Sequence, residues 1–476
     1  MPVTENLFFA AATELNAGLV KGEFSAVELV KAFSARLERL GPRFNALALP
    51  LSEAASHRAK DVDGDLKRGR YRGPLQGVPF GAKDLLAVAG KPVTWGAKPY
   101  AGQVLNETAT VLNKLDQTGS LLIGKLSMVE LAGGGGYRTA SASLFGPGLN
   151  PWDTSRWAGG SSSGPGSAVA AGLVPFALGS ETSGSIVSPS AYCGITGLRP
   201  TYGLVSRHGA MALSWTMDKI GPMCHSADDC GHILQVIAGS DVKDPGSAGK
   251  SFYYTPQYAR ALGDLTIGFS PDDLEWAAAS AKPAFEAAMN VLRASGVRMV
   301  QVALPDLPYG SLADIVIGAE GASVFEPLIA SGKIADLADP SQTASLRANL
   351  EIPAKDYLRA MRIRSLLKQQ FRDLFSRVDV LVAPSRYDVA PKITDDLDGP
   401  DPPPGGQPKS PGMRDLIPAG NLAGLPALSV PCGFANGLPL ALQLVGAPFS
   451  ENLILALGCE FQRRTDWHKR RPPLVS

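Results

Sequence analysis

An α/β fold around a large core is what the sequence predicts, and three observations carry it. Apolar residues make up 45% of the 476, which supplies a sizeable core and excludes a disordered or collagen-like chain. Glycine and proline, at 52 and 38 residues, exceed the usual share of about 12%, so many shaped loops are expected rather than long helices. Short apolar runs alternate with glycine-rich loops and helical stretches, the pattern of strands interleaved with helices. At about one domain per 150 residues, this length suits three domains or one large one.

The elements follow in order. Residues 1–72 read as helical: Ser25 and Glu28 make a capping box, and Val27, Leu29, Val30, Phe33, Leu37 and Leu40 recur at helix spacing. A second charged helix runs from Ser52 to Arg68 and stops at Gly69. From residue 73 the pattern turns to α/β, with a strand at Ser120–Gly124 and an alanine-rich helix at Ser167–Leu173. Residues 262–303 give a strand (Leu265–Phe269), a helix (Pro283–Ser295) and a strand (Val297–Leu304). A basic amphipathic helix over 354–378 feeds the strand Val378–Ala383; its charges read as a solvated face. Residues 384–412 carry eight prolines, a long irregular loop whose length suggests a lid or pocket rim. Leu425–Pro431 and Pro439–Val445 form a hairpin turning at Asn436-Gly437.

Charge and cysteine usage exclude several classes. The 45 basic against 44 acidic residues leave a net charge of +1, with no footprint for nucleic acid or an anionic membrane. Five cysteines (193, 224, 230, 432, 459), with no CxxC pair, make neither a disulfide framework nor a zinc site and suit a reducing compartment. The N-terminus lacks a basic n-region, and no apolar run reaches 18 residues. A soluble, cytoplasmic protein is expected.

Three local signals compete for the chemistry. Gly160–Gly164 fits G-x-S-x-G, which would make Ser162 a nucleophile. Its upstream segment is loop-like, however, and His208, His225, His232 and His468 lack the context of a partner. Two S-x-x-K matches, Ser365–Lys368 and Ser247–Lys250, stand in a helix and a polar loop without companion motifs, and a P-loop fails because Asp244 replaces the required glycine. The third signal is a constellation. Lys83 ends the apolar segment Gly77–Asp84, Gly159–Ser167 precedes a small-residue helix, and Gly179–Ile186 leaves backbone N–H groups unshielded. A lysine buried among Val78, Pro79, Phe80 and Leu85 is disfavoured as a cation and can serve as a neutral base. Successive N–H groups on a tight turn make an oxyanion hole.

With these segments, the chain resembles the amidase signature family of serine hydrolases. The matching text is GVPFGAKD (77–84), FGPGLNPWD (145–153), the stretch 159–200 ending in CGITGLRP, and DKIGPM (218–223). NLAGLPALSVPCG (421–433), LPLALQLVG (438–446) and TDWHKRRP (465–472) match as well. The resemblance implies a three-layer α/β/α core with a central mixed β-sheet flanked by helices. It places a base at Lys83, a bridging serine after a cis peptide bond at Ser161, and the nucleophile at Ser185. The interval between the two serines is the family's own. The N–H groups of Thr182, Ser183, Gly184 and Ser185 would form the oxyanion hole, and neither metal nor cofactor is called for. Departures lie beside the pocket: Ser183 replaces a glycine, Val187 an arginine and Ser163 a common glycine, while Pro165 interrupts the helix start. The loop Gly133–Arg138 looks long and bare, suggesting room for a bulky acyl group near Gly133, Gly134 and Tyr137.

The resulting expectation is one amidase signature domain over 1–476. It comprises a helical region (1–72), the core with the triad (73–235), a variable region (240–415) and a C-terminal return (416–476). The expected activity is stand-alone hydrolysis of small aryl amides, anilides or carbamates (urethanase), by a monomer or homodimer that binds neither nucleic acid nor membrane. The alternative is the glutaminase (A-type) component of a tRNA-dependent amidotransferase. Against it, 340–365 lacks the glycine- and arginine-rich helix start expected of a glutamine pocket.

Overall fold

The structure, a computed structural model, describes residues 4–255, 260–397 and 412–473. Its strands in chain order are β1 (Leu47–Pro50), β2 (Pro79–Lys83), β3 (Leu121–Leu126), β4 (Leu149–Asn150), β5 (Asp153–Trp157), β6 (Phe176–Glu181), β7 (Thr196–Arg199), β8 (Lys219–Cys224), β9 (Thr266–Phe269), β10 (Arg298–Gln301), β11 (Val380–Pro384), β12 (Ala427–Ala435) and β13 (Leu438–Gly446). Eleven of these form one sheet in the order β1-β3-β2-β6-β8-β7-β12-β13-β11-β9-β10, and β4 with β5 makes a separate ribbon. The sheet is mixed. β2 is parallel to both β3 and β6, and β9 to both β10 and β11, whereas the remaining pairs are antiparallel.

Every residue of β2, β6, β7, β8 and β13 is buried, as a sheet covered by helices on both faces requires. The capping box stands as expected. Glu28 N donates to Ser25 Oγ at 3.1 Å, Ser25 N donates to the Glu28 carboxylate at 2.7 Å, and the helix Ala26–Leu40 buries Leu29, Val30, Phe33 and Leu37. Asn436 and Gly437 take φ of 53° and 76°, the paired left-handed residues of a tight hairpin between β12 and β13. A second apolar cluster joins the helices Tyr309–Ala330, Ala354–Phe375 and Leu416–Ala423 to β11 and β13.

Boundaries differ in two instructive places. The alanine-rich helix begins at Ser163 rather than Ser167; Pro165 lies in its first turn, where a missing N–H costs nothing, so it does not delay the start. The strand expected over Val297–Leu304 shrinks to β10, because it pairs only with β9 at the end of the sheet. The proline-rich segment is described through residue 397, and the remainder of that lid or rim, 398–411, lies outside the described residues. Among the described residues, no helix is long and apolar enough to cross a membrane.

The topology brings the chemistry-bearing residues together. β2 and β6 run parallel, with Ala82 opposite Leu178, so Lys83 and Ser180–Glu181 emerge at neighbouring carboxyl ends. In open α/β sheets this is the edge at which ligands bind. Gly164, just beyond the 160–162 turn, packs onto the backbone of β3's exit: its N–H donates to Ser127 O at 3.0 Å, and an added Cβ would lie 2.5 Å from Ser127 N and O. Gly164→Ala is therefore expected to lower stability by about 1–3 kcal/mol. Gly310→Ala, at an exposed helical position with nothing within 4 Å, should raise it by up to about 1 kcal/mol. Thermal unfolding of the two variants checks both signs.

Candidate active site

Lys83 is fully buried at the end of β2, and its ammonium donates to Ser161 Oγ at 2.8 Å and Ser180 Oγ at 2.9 Å. Burial drives its pKa down to about 7, against the opposing pull of Asp218 and Glu181. Near neutral pH a large fraction is thus free amine, able to accept a proton from a hydroxyl within hydrogen-bond reach. Ser161 follows a cis Gly160–Ser161 peptide bond, and its carbonyl accepts from Val129 N at 3.1 Å. Ser162 N donates to Ser185 O at 3.3 Å, which lays the Ser185 turn against the same short segment. Ser161 is fully buried, whereas Ser185 retains 7% exposure.

The turn after β6 is held by one carboxylate. Glu181, fully buried, accepts from Ile186 N at 2.8 Å, Val187 N at 3.0 Å, Arg199 Nη1 at 2.7 Å and Asn421 Nδ2 at 2.7 Å. Burial alone would raise its pKa, but the Arg199 charge and these donors hold it at about 2. The loop is thereby curled so that Gly184 adopts φ of 86°, a conformation glycine takes without a Cβ penalty. The N–H groups of Thr182, Ser183, Gly184 and Ser185 meet no acceptor among the described residues. Four donors on a tight turn form the kind of concavity that stabilises an oxyanion. Asp218 braces the other side. Its carboxylate accepts from Thr182 Oγ1 at 2.7 Å and from the N–H groups of Leu213 and Ser214 at 2.8 and 2.9 Å. Burial raises its pKa.

Sequence reasoning passes over Glu181, Arg199, Asn421, Ser180 and Asp218 as individual residues. The signal is present: an acid and a base of opposite sign, Glu181 and Arg199, each terminate an otherwise apolar or small-residue strand. Charges in such strands must be paired.

The competing signals resolve geometrically. Ser162 is fully buried; its Oγ donates to Ser180 O at 3.1 Å and accepts from Ser180 N at 3.3 Å, so it staples strand to turn. His225 is half-buried beside Phe9, and desolvation lowers its pKa to about 4. Ser365 bonds back to Met361 O within its helix. Among the described residues, no group of three or more His, Cys, Asp or Glu is placed to hold a metal ion.

The 133–138 loop is filled rather than open. Tyr137 folds back over Gly133, where an added Cβ would lie 2.6 Å from its ring, and its hydroxyl reaches the cis bond, 2.9 Å from a Cβ placed on Gly160. Gly134 abuts Leu213 and Phe325, and Gly135 abuts Leu346. The bare glycines permit close backbone approach, which replaces the bulky-group space expected there. On the far side of Ser180 and Thr182 lies a cavity of about 660 Å³, walled by Ala132, Met211, Leu213 and Trp215.

A model of the Amidase family matches residues 28–455. The chain belongs to the amidase signature family. The A-type subunit of glutamyl-tRNA(Gln) amidotransferase from Chloroflexus aggregans is 37% identical, across 98% of this chain and 99% of that protein. Its counterpart from Chloroflexus aurantiacus is 36% identical over 98% and 99%. Among solved structures, the peptide amidase of Stenotrophomonas maltophilia superposes with a TM-score of 0.83 at 29% identity, covering 98% of each chain. The amidase signature chain is an enzyme of the C–N-hydrolase type with the mixed-sheet fold of that family.

These relatives overturn the expectation of a stand-alone hydrolase of aryl amides, anilides or carbamates. They carry the name of a subunit, in an enzyme named for a tRNA, and so correct the expected partners as well. The reason is physical: the motifs around the lysine and the two serines describe the acyl-transfer machinery, which both classes need. The departures at Ser183 and Val187 lie beside that machinery and do not separate the classes.

Glu181→Gln tests the brace. It leaves the fully buried Arg199 without its counter-charge, a change worth about 3–5 kcal/mol. Reduced unfolding stability together with lost amide hydrolysis is the expected outcome; a stable but inactive protein would confine Glu181 to shaping the turn.

Proposed function

We propose that this chain is the amide-hydrolysing, A-type component of a tRNA-dependent amidotransferase, releasing ammonia from a carboxamide donor such as glutamine. The full-length similarity to A-type amidotransferase subunits carries this reading, and the lysine–serine geometry supports its chemistry. Neutral Lys83 takes the Ser161 proton while Ser161 takes that of Ser185. Ser185 Oγ attacks the carboxamide carbon, and the oxyanion is held by the N–H groups at 182–185. Collapse expels ammonia with a proton returned along the same relay. Water then attacks the seryl ester, releases the acid and restores Ser185.

The test is ammonia release from L-glutamine by the chain reconstituted with the remaining subunits of such an amidotransferase, read beside conversion of Glu-tRNA(Gln). Both activities should appear together and fall by about 10⁴-fold or more in Ser185→Ala. Absence of both with correctly folded chains would sink the reading.

The base has its own signature. Because only the free amine of Lys83 accepts a proton, kcat should plateau above pH 7 and fall about tenfold per pH unit well below it. Lys83→Ala should cost about 10²–10⁴-fold and remove that dependence. A profile that keeps its acid limb in Lys83→Ala would assign the limb to another group.

A further inference from the structure

Beyond the lysine and the two serines, one cation stands at the same turn with no counter-charge. Arg386, half-buried just after β11, donates through Nε and Nη2 to Ser188 Oγ at 3.0 and 2.7 Å. Its Nη2 lies 3.8 Å from a Cβ placed on Gly184, the residue before Ser185. Its guanidinium covers the Tyr192 ring at 5.8 Å. No carboxylate among the described residues pairs with it, and Nη1 has no hydrogen-bond partner there. The acids that follow it along the chain are engaged with other groups: Asp388 caps Val389 N, Asp395 takes Lys392 N, and Asp396 pairs with Arg138.

A second donor belongs to the same wall. Tyr137 packs edge-on to Trp157 at 5.9 Å, and Trp157 lies 6.4 Å from Tyr192, so the three rings connect Tyr137 to the Arg386 platform. The Tyr137 hydroxyl, beside Gly160, meets no acceptor among the described residues. A planar cation and a phenol, both with unspent hydrogens, thus border the segments that present Ser161 and Ser185. Arginine's fork matches a carboxylate in two-point geometry.

We infer that Arg386, assisted by the Tyr137 hydroxyl, anchors a carboxylate on the acyl portion of the substrate. The inference rests on the amidotransferase reading and sharpens it: the donor is an ω-carboxamide bearing an anionic end. Arg386 selects that end, and the turn at 182–185 receives the amide.

The experiment compares glutaramate, the monoamide of glutarate, with valeramide, in which a methyl group replaces the carboxylate. Calorimetric binding to Ser185→Ala needs no turnover and no partner protein. Glutaramate should bind about 10–100-fold more tightly than valeramide. Arg386→Gln in the same background should abolish that preference, Arg386→Lys should keep part of it, and Tyr137→Phe should reduce it about 3–10-fold. Equal binding of the two amides, or a preference that survives Arg386→Gln, would overturn the inference. If Arg386→Gln fails to fold, Tyr137→Phe decides: a preference unchanged by loss of the hydroxyl likewise overturns it.

The two proposals fail separately. An Arg386-dependent preference in a chain that never uses glutamine with its partners removes the amidotransferase reading and leaves the anchor. Glutamine-dependent conversion of Glu-tRNA(Gln) with a preference indifferent to Arg386 does the reverse.

Discussion

The site depends on a fully buried ion pair, Glu181 with Arg199, at 2.7 Å. Two charges withdrawn from water are costly unless every remaining lone pair is occupied, and Glu181 is occupied by two backbone N–H groups, a guanidinium and an amide. Those donors come from the turn itself, from β7 and from the helix Leu416–Ala423, so a single carboxylate fixes three parts of the chain that are distant in sequence. The free N–H groups ahead of Ser185 are a by-product: Glu181 binds the N–H groups of residues 186 and 187, and the preceding ones are left for a ligand.

Lys83 illustrates the opposite use of burial. It has no carboxylate in hydrogen-bond contact, only hydroxyls and a backbone carbonyl, so nothing repays the loss of hydration and the free amine gains ground. Lys125, its neighbour across β2 and β3, is equally buried but pairs with Asp84 at 2.7 Å. Two buried lysines one strand apart are thus given different environments, and only Lys83 touches Ser161. Ser180 completes the arrangement: its side chain receives Lys83, while its backbone holds Ser162.

Much of this is legible in the sequence. Capping residues announce a helix start, Asn436-Gly437 announces the hairpin, and motif and spacing announce the lysine and serine segments. What stays hidden is what folding alone creates. Glu181, Arg199 and Asn421 are separated by up to hundreds of residues, and their pairing follows from sheet order, which periodicity does not encode. The Gly133–Gly136 run reads as space, yet glycine signals either open room or close approach. Only the packing of Leu213, Phe325 and Leu346 against it decides between them. Arg386 is hidden for the same reason, since it reaches Ser188 from beyond β11. The choice between free hydrolase and component of a complex lies outside the motifs altogether, because both need the same acyl-transfer groups.

The complete burial of Lys83 has a chemical consequence of another kind. An uncharged primary amine is the nucleophile that attacks carbon dioxide, cyanate and sugar aldehydes, and a surface lysine escapes chiefly by being protonated. Lys83 lacks that protection, since its pKa sits near 7. The walls that strip its water also withhold it from dissolved electrophiles. A loosening of β2 that admitted solvent would return its pKa toward the ordinary lysine value, whereas cyanate reaching the still-uncharged amine would convert it to a urea and remove the base. Rigidity here is a form of chemical preservation, and ageing of the protein in cyanate would register how seldom that part of the sheet breathes.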